Sequence, residues 1–280
     1  MSSILTNNGA MVALQTMRGI NRDLSTTQSE ISTGKSVGSA RDNAAVWSIA
    51  KTMDSDVAGL KAIDDSLSLA KSTVTVARVA AETTVELMNE IKELLVTGTG
   101  DNVDHEKIQA DIEVLQDQIE TVLDSAQFNG LNLVDGSADG DVEFLAALTR
   151  NAAGTLTQET IDLEDDGNDL NLKAALGTAL GWDIDDADDA VAALNQFEDQ
   201  LQEAIEAAAR FGSAERRIDI QAEFNKNMMD ALTSGIGGLV DADMEAASAR
   251  LQSLQVQQQL ATQSLSIANQ QPQNILALFR

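Results

Sequence analysis

The sequence is poor in the residues that most enzymes and metal sites use. It has no cysteine and only one histidine, His105. The lack of cysteine excludes disulfides, thiol nucleophiles and cysteine-based metal centres. A single histidine excludes sites that need several imidazole ligands or a second catalytic histidine. We expect His105, which lies in the acidic run "DNVDHEK", at the solvated surface.

Proline and aromatic residues are also scarce. Pro272 is the sole proline, tyrosine is absent and aromatic residues make up 3% of the 280 residues. A globular enzyme of this length normally interrupts its helices with prolines and packs its core with more rings. Long uninterrupted helices are the expected alternative.

Basic residues and long apolar runs are missing as well. The chain has 18 Lys and Arg against 45 Asp and Glu, a net charge of −27. Binding to polyanions needs clustered cations, so we predict neither nucleic acid nor an anionic membrane as a partner. No run of 18 apolar residues occurs, and "MSSILTNNGAM" has no basic start followed by an apolar segment. We expect neither a membrane span nor a cleaved signal peptide.

Heptad repeats predict long central helices. Apolar residues recur at every seventh position between Val46 and Leu95. This spacing predicts a coiled-coil-like helix of about 50 residues, roughly 75 Å long. A second apolar pattern, from Ile108 to Ala126, predicts a helix that folds back alongside the first after the break "TGTGDN". We assign residues 46–135 to the first part of a helical bundle.

The middle of the chain changes in character. Residues from Asp141 to about Leu163 have a short, β-like pattern that predicts a hairpin. Residues 136–185 are assigned to this hairpin and an acidic variable region. The helical pattern resumes near Asp186 and forms the second part of the bundle, residues 186–234. The following "SGIGG" predicts a hinge over residues 235–240, formed by Gly235, Gly237 and Gly238.

The two ends of the chain carry more apolar surface than one helix pair can bury. Residues 251–279 contain no charged side chain, although 22% of the whole chain is charged. The N-terminal helix (residues 1–34) and the C-terminal helix (residues 241–280) each combine a heptad stripe with further apolar positions off that stripe. A buried core helix in a monomer is the simpler alternative, but surplus apolar faces are typical of contacts with other molecules.

Contacts of this kind that do not close on themselves produce helical filaments. We therefore predict that the terminal helices polymerise, and that the fold is mainly α: a long coiled-coil-like bundle with a short β-hairpin region. The predicted polymerisation interface consists of Leu5, Met11, Val12, Met17, Ile20, Leu24, Ile31, Leu251, Leu254, Val256, Leu260, Leu265, Ile267, Leu276, Leu278 and Phe279.

A Gly-Lys-Ser sequence starting at Gly34 is similar to the end of a phosphate-binding loop. That motif needs a second glycine five residues earlier, where this chain has Ser29. The preceding segment also has helical rather than strand periodicity. We interpret the sequence as a turn between helices.

Three segments resemble bacterial flagellin. They are "LSTTQSEISTGKSVGSARDNAA" from Leu24, "IQADIEVLQDQIETVLDSAQFNG" from Ile108, and, near the C-terminus, "DADMEAA" with "SIANQQPQNILALFR". The resemblance implies a structural subunit of the flagellar filament that is not an enzyme and has no cofactor, with paired terminal helices as an inner domain. It also implies that residues 35–45, with Gly34 and Gly38, form a spoke loop leading to an outer bundle. The short middle resembles the minimal members of the family.

The resemblance also implies partners and a location. The partners are other copies of the chain, the flagellar export apparatus, an export chaperone, and hook-associated junction and cap proteins. The location is the extracellular flagellum, reached by the flagellar type III route. Two alternatives stay open at this point: a hook-filament junction protein, and a soluble acidic helical binding protein that remains a monomer.

Overall fold

The computed structural model describes residues 7–137, 142–150, 155–162, 171–177, 184 and 186–278. Leu5 and Phe279 of the predicted interface lie outside these residues, and so do the side chains of Leu276 and Leu278. The elements in chain order are α1 (Asn8–Thr33), α2 (Ala44–Gly98), α3 (His105–Ser125), β1 (Gln127–Phe128), β2 (Leu131–Asn132), β3 (Glu143–Arg150), β4 (Leu156–Asp162), α4 (Leu172–Gly177), α5 (Ala187–Val240) and α6 (Met244–Leu278).

The chain divides into two compact units. The terminal unit comprises Met1–Val57 and Asp230–Arg280, and the central unit comprises Ala58–Met229. Both limits fall inside long helices, since α2 and α5 each have residues in both units. The mainly α fold with paired terminal helices is confirmed. The functional boundaries assigned from the sequence stay predictions.

Each helix begins at an Asn or Asp whose side chain accepts a hydrogen bond from a backbone N–H of the first turn. Such a cap satisfies one of the amides that have no partner inside the helix. In α5, for example, Asp186 Oδ1 accepts from Asp189 N at 2.9 Å. The capping residues are Asn7, Asn43, Asp104, Asn171, Asp186 and Asp243.

The core of the central unit follows the heptad pattern predicted for α2. Its stripe residues from Leu67 to Leu95 are almost completely buried. They pack in one cluster with apolar residues of α3 and α5, including Phe197 and Phe211, which are 0% and 1% exposed. Three ion pairs also join α2 to α5 and show that the two helices run antiparallel: Lys92 with Glu198, Arg78 with Glu215, and Lys71 with Asp219.

The predicted hairpin is present as β3 and β4, which pair antiparallel with an irregularity between Leu145 and Ala147. The intervening Ala146 is buried, and its carbonyl accepts hydrogen bonds from Gln221 Nε2 and Asn225 Nδ2, both at 3.2 Å. These two amides attach the hairpin to α5. The fully buried Asn225 is therefore a structural residue that the apolar pattern could not reveal.

Two expectations are wrong. His105 is half-buried rather than solvated, and its Nε2 donates to the carbonyl of Gly98 at 2.9 Å, where α2 ends and leaves carbonyls unpaired. The helix expected to end near Ser234 continues as α5 to Val240. Residues 235–240 are thus helical, because three glycines weaken a helix without forbidding it.

Candidate assembly surface

Helices α1 and α6 pair antiparallel within the terminal unit. Near the start of α1, Asn7 Nδ2 donates to the carbonyl of Ala268 at 2.7 Å. Further along, Gln258 Nε2 donates to Asn21 Oδ1, also at 2.7 Å. Residue numbers fall along α6 as they rise along α1, so these contacts fix both the direction and the register of the pair.

One face of each helix forms the seam between them. Its members follow a spacing of three and four residues and are buried or half-buried, as expected of two helices packed along one stripe each. Thr27, 1% exposed, occupies the stripe position between Leu24 and Ile31, and the apolar pattern missed it because it is polar. The seam residues are Ala10, Ala13, Met17, Ile20, Leu24, Thr27 and Ile31 of α1, and Ala247, Leu251, Leu254, Gln258, Ala261, Leu265 and Ala268 of α6.

Several apolar residues of the two helices lie off the seam and are exposed. On α1, Met11 and Val12 are 70% and 64% exposed. On α6, Val256, Leu260 and Ile267 are 55%, 59% and 63% exposed. We call these five side chains the outer apolar residues. They carry the surplus that the sequence predicted, since the seam requires only one stripe from each helix.

The structure therefore divides the described members of the predicted interface set into two groups. The outer apolar residues remain available for contacts with other molecules. The second group belongs to the seam within one chain, where Leu254 is only 7% exposed and has little surface left to offer. This second group consists of Met17, Ile20, Leu24, Ile31, Leu251, Leu254 and Leu265.

A short clasp closes one end of the seam. The carbonyl of Val240 accepts hydrogen bonds from Ser36 N at 2.7 Å, Ser36 Oγ at 3.0 Å and Val37 N at 3.3 Å. In return, Ala242 N donates to the carbonyl of Gly34 at 2.9 Å. The Gly-Lys-Ser sequence thus belongs to this clasp, which ties the loop after α1 to the break between α5 and α6.

The predicted spoke and hinge glycines differ in what their backbones require. Gly34 has φ +71° and caps α1 in the left-handed region, where a side chain is strained. Gly38 has no such φ, and a Cβ at Gly235 or Gly238 would meet nothing within 4 Å. At Gly237 a Cβ would come within 2.9 Å of Asp241 Oδ2. Only Gly34 is therefore required by backbone conformation.

The clasp leads to a prediction about Gly34. We expect Gly34→Ala to destabilise the terminal unit by roughly 1–2 kcal/mol, because an L side chain is strained in the left-handed region. Hydrogen exchange of the amides in α1 and α6 should become faster. The matched control is Gly38→Ala, which lies in the same loop without a positive φ and should change stability by less than about 0.5 kcal/mol. Equal exchange in the two variants would contradict the role of Gly34.

The described part of the chain contains neither a membrane-spanning helix nor a cluster of metal ligands. Among the described helices, none combines the length and the hydropathy needed to cross a membrane. Within the same described residues, no three acidic or imidazole side chains are grouped so that they could hold a metal ion. The outer apolar residues are therefore the main candidate surface.

Comparisons with known proteins agree across the chain. The family model for the bacterial flagellin N-terminal helical region matches residues 4–139, and the model for the C-terminal helical region matches residues 194–279. Flagellin C of Rhizobium meliloti (strain 1021) is 38% identical, with all of both chains covered. The flagellin FljK of Caulobacter vibrioides is 37% identical, with 100% of this chain and 99% of the relative covered.

A solved structure shares the fold alone. It is described provisionally as a flagellar hook-associated protein from Vibrio parahaemolyticus and matches with a TM-score of 0.51 at 12% identity. The match covers 71% of this chain and 100% of the other.

Proposed function

The chain belongs to the bacterial flagellin family and is a structural subunit of the extracellular flagellar filament, and we propose that its copies join through the outer apolar residues of α1 and α6. The seam then holds the two helices together within each subunit. The outer faces of the pair meet other subunits.

The exposure of the outer apolar residues supports this proposal most directly. Five large apolar side chains that are more than half exposed lie on a pair of helices whose segment 251–279 has no charge. Transfer of such surface out of water stabilises an assembly by roughly 25 cal/mol per Å². The absence of charge in this segment means that burial does not leave unpaired ions inside the polymer.

We also propose roles in this assembly for the loop that forms the clasp and for the three glycines near the end of α5. The loop of residues 35–45 would form the spoke between an inner domain of terminal helices and an outer helical bundle. The last turn of α5 would act as a weak point, since Gly235, Gly237 and Gly238 each lower helix stability. The C-terminal end of α5 is nevertheless held in place, because the carbonyl of Val240 accepts the hydrogen bonds of the clasp.

Further partners are proposals from family membership. They are the flagellar type III export apparatus, an export chaperone, and the junction and cap proteins at the two ends of a filament. Two alternative functions are less well supported. A hook-filament junction protein is not favoured because the full-length relatives are flagellins. A soluble acidic binding protein would not need exposed apolar helix faces.

Salt dependence of assembly tests the proposal against the monomeric alternative. Subunits with a charge of −27 repel one another, and at physiological salt the Debye length of about 8 Å screens much of this charge. Raising salt from about 10 to about 150 mM should lower the critical concentration for filament formation by about tenfold. Light scattering gives the onset, and electron microscopy verifies filaments.

The control compares NaCl with KCl at equal ionic strength. Charge screening depends on ionic strength rather than on which monovalent ion is present, so the two onsets should coincide. A chain that remains monomeric at every salt and protein concentration, with preformed filament seeds added, would support the soluble binding protein and contradict the proposed function.

A further inference from the structure

The charge of the chain is distributed very unevenly between its two units. The terminal unit carries seven Lys and Arg and nine Asp and Glu, a net charge of −2. The central unit carries 11 Lys and Arg and 36 Asp and Glu, a net charge of −25. Polymerisation brings many central units close together, so it concentrates most of the acidic charge of every subunit.

The cations of the terminal unit are largely unpaired. Arg18, Arg22, Lys35 and Arg41 are all exposed, and none lies within 4 Å of a carboxylate among the residues that the structure describes. In the central unit, Lys71, Arg78, Lys92, Lys107 and Lys173 form ion pairs, whereas Lys61, Arg216, Arg217 and Lys226 form none with a described residue. The two units therefore differ mainly in their balance of charge, since the free cations of the central unit lie among 36 acidic residues. The near-neutral unit thus keeps its positive charges available.

Two of these cations lie on the side of α1 that faces away from the seam. Arg18 and Arg22 are one helical turn apart, and Ser25, Ser29 and Thr33 continue the same exposed row toward the C-terminus of α1. The acids of α1, Asp23 and Glu30, fall outside this row. Arg18 and Arg22 can therefore face a carboxylate of another molecule without an acidic residue of α1 in the same row.

The row ends in a groove between α1 and the loop that follows it. The groove has a volume of about 610 Å³, and its lining includes Lys35, Arg41, Ser25 and Ser29. Glu30 and Asp42 also line it. Asp42 is already engaged, because its Oδ2 accepts hydrogen bonds from Ser39 Oγ and Ser39 N, both at 2.9 Å, and these bonds lower the pKa of Asp42.

We propose that Arg18, Arg22, Lys35 and Arg41, which we call the basic strip, bind the acidic surface of the central unit of a second copy. Guanidinium and ammonium groups next to free hydroxyls suit carboxylates, which accept several hydrogen bonds at once. The contact would offset part of the repulsion between central units and guide the approach of subunits. The inference rests on the proposed function, because it requires copies to assemble.

The test is the quadruple variant Arg18→Gln, Arg22→Gln, Lys35→Gln and Arg41→Gln in the full chain. At about 100 mM salt its critical concentration for filament formation should exceed that of the unmodified chain by at least about tenfold. At about 1 M salt, where the Debye length is about 3 Å, the difference should largely disappear. Thermal unfolding of the monomer should be unchanged because all four side chains are exposed.

A control variant removes the same charge elsewhere. Lys61, Arg216, Arg217 and Lys226 are exposed cations of the central unit that form no ion pair with a described residue, so their replacement by Gln gives the same net charge. This control should raise the critical concentration for filament formation much less than the quadruple variant of the basic strip does. The conservative variant Arg18→Lys, Arg22→Lys, Lys35→Arg and Arg41→Lys should assemble like the unmodified chain.

The outcomes separate this inference from the proposed function. If the strip and control variants raise the critical concentration equally, net charge alone matters and the basic strip is overturned while the proposed function stands. If the unmodified chain forms no filaments, both fall. Should the quadruple variant melt at a lower temperature, the double variant Lys35→Gln and Arg41→Gln, confined to the loop, replaces it in the same comparison.

Discussion

Deletion of residues 251–280 should abolish filament formation while the central unit continues to unfold cooperatively near its normal temperature. The core cluster of the central unit lies entirely between Ile63 and Ile218, so the deletion removes none of it. Among the described apolar side chains of the deleted segment larger than alanine, Leu254 alone is buried. Loss of the buried Leu254 side chain lowers the free energy of unfolding by about 1.5–3 kcal/mol, and this affects the terminal unit, to which Leu254 belongs.

The measurements are a thermal melt and a seeded assembly assay. Because the deletion removes six of the seven α6 residues of the seam, all except Ala247, α1 should also lose protection from hydrogen exchange in the truncated chain. The full-length chain under the same conditions is the reference. A truncated chain that still forms filaments, or one whose central unit no longer melts cooperatively, would contradict the assignment of α6 to assembly.

Replacing the outer apolar residues of α6 should block assembly without unfolding the chain. The triple variant Val256→Gln, Leu260→Gln and Ile267→Gln keeps good helix formers at exposed positions, so the monomer should melt normally. If assembly buries the exposed half of each side chain, the loss is roughly 3 kcal/mol in total, or on the order of a hundredfold in critical concentration. Sedimentation and electron microscopy measure this change.

The matched control replaces exposed valines outside the terminal unit. Val79, Val114 and Val191 are 48%, 68% and 46% exposed in the central unit, and their replacement by Gln removes a comparable apolar surface. We expect this control to assemble within a few-fold of the unmodified chain. Similar critical concentrations for the two triple variants would mean that exposed apolar area in general, rather than the outer face of α6, drives polymerisation.

The helices and their core could be predicted because the information is local. Heptad spacing identified α2, α3 and both terminal helices, and the stripe from Leu67 to Leu95 became the buried core of the central unit. Periodicity of 3.6 residues fixes which side chains share a face whatever the rest of the fold does. The same reasoning predicted that the chain ends carry more apolar faces than they need.

The sequence could not decide which apolar face pairs inside the chain and which remains exposed. Met17 and Val256 are both apolar residues of terminal helices, yet Met17 lies in the seam and Val256 is 55% exposed. The choice depends on the register of α1 against α6, which contacts between residues more than 200 positions apart determine. Such long-range contacts leave no periodic pattern in the sequence.

Polar contacts were equally hidden. The seam accepts Thr27 because burial there depends on position rather than hydrophobicity, and Asn225 is buried because it reaches the carbonyl of Ala146. The clasp at Val240 uses backbone groups, which every residue has. Amino-acid sequence alone thus determined the helices, their faces and the family. Tertiary structure decided which groups meet, because hydrogen bonds and register depend on distances that only the folded chain defines.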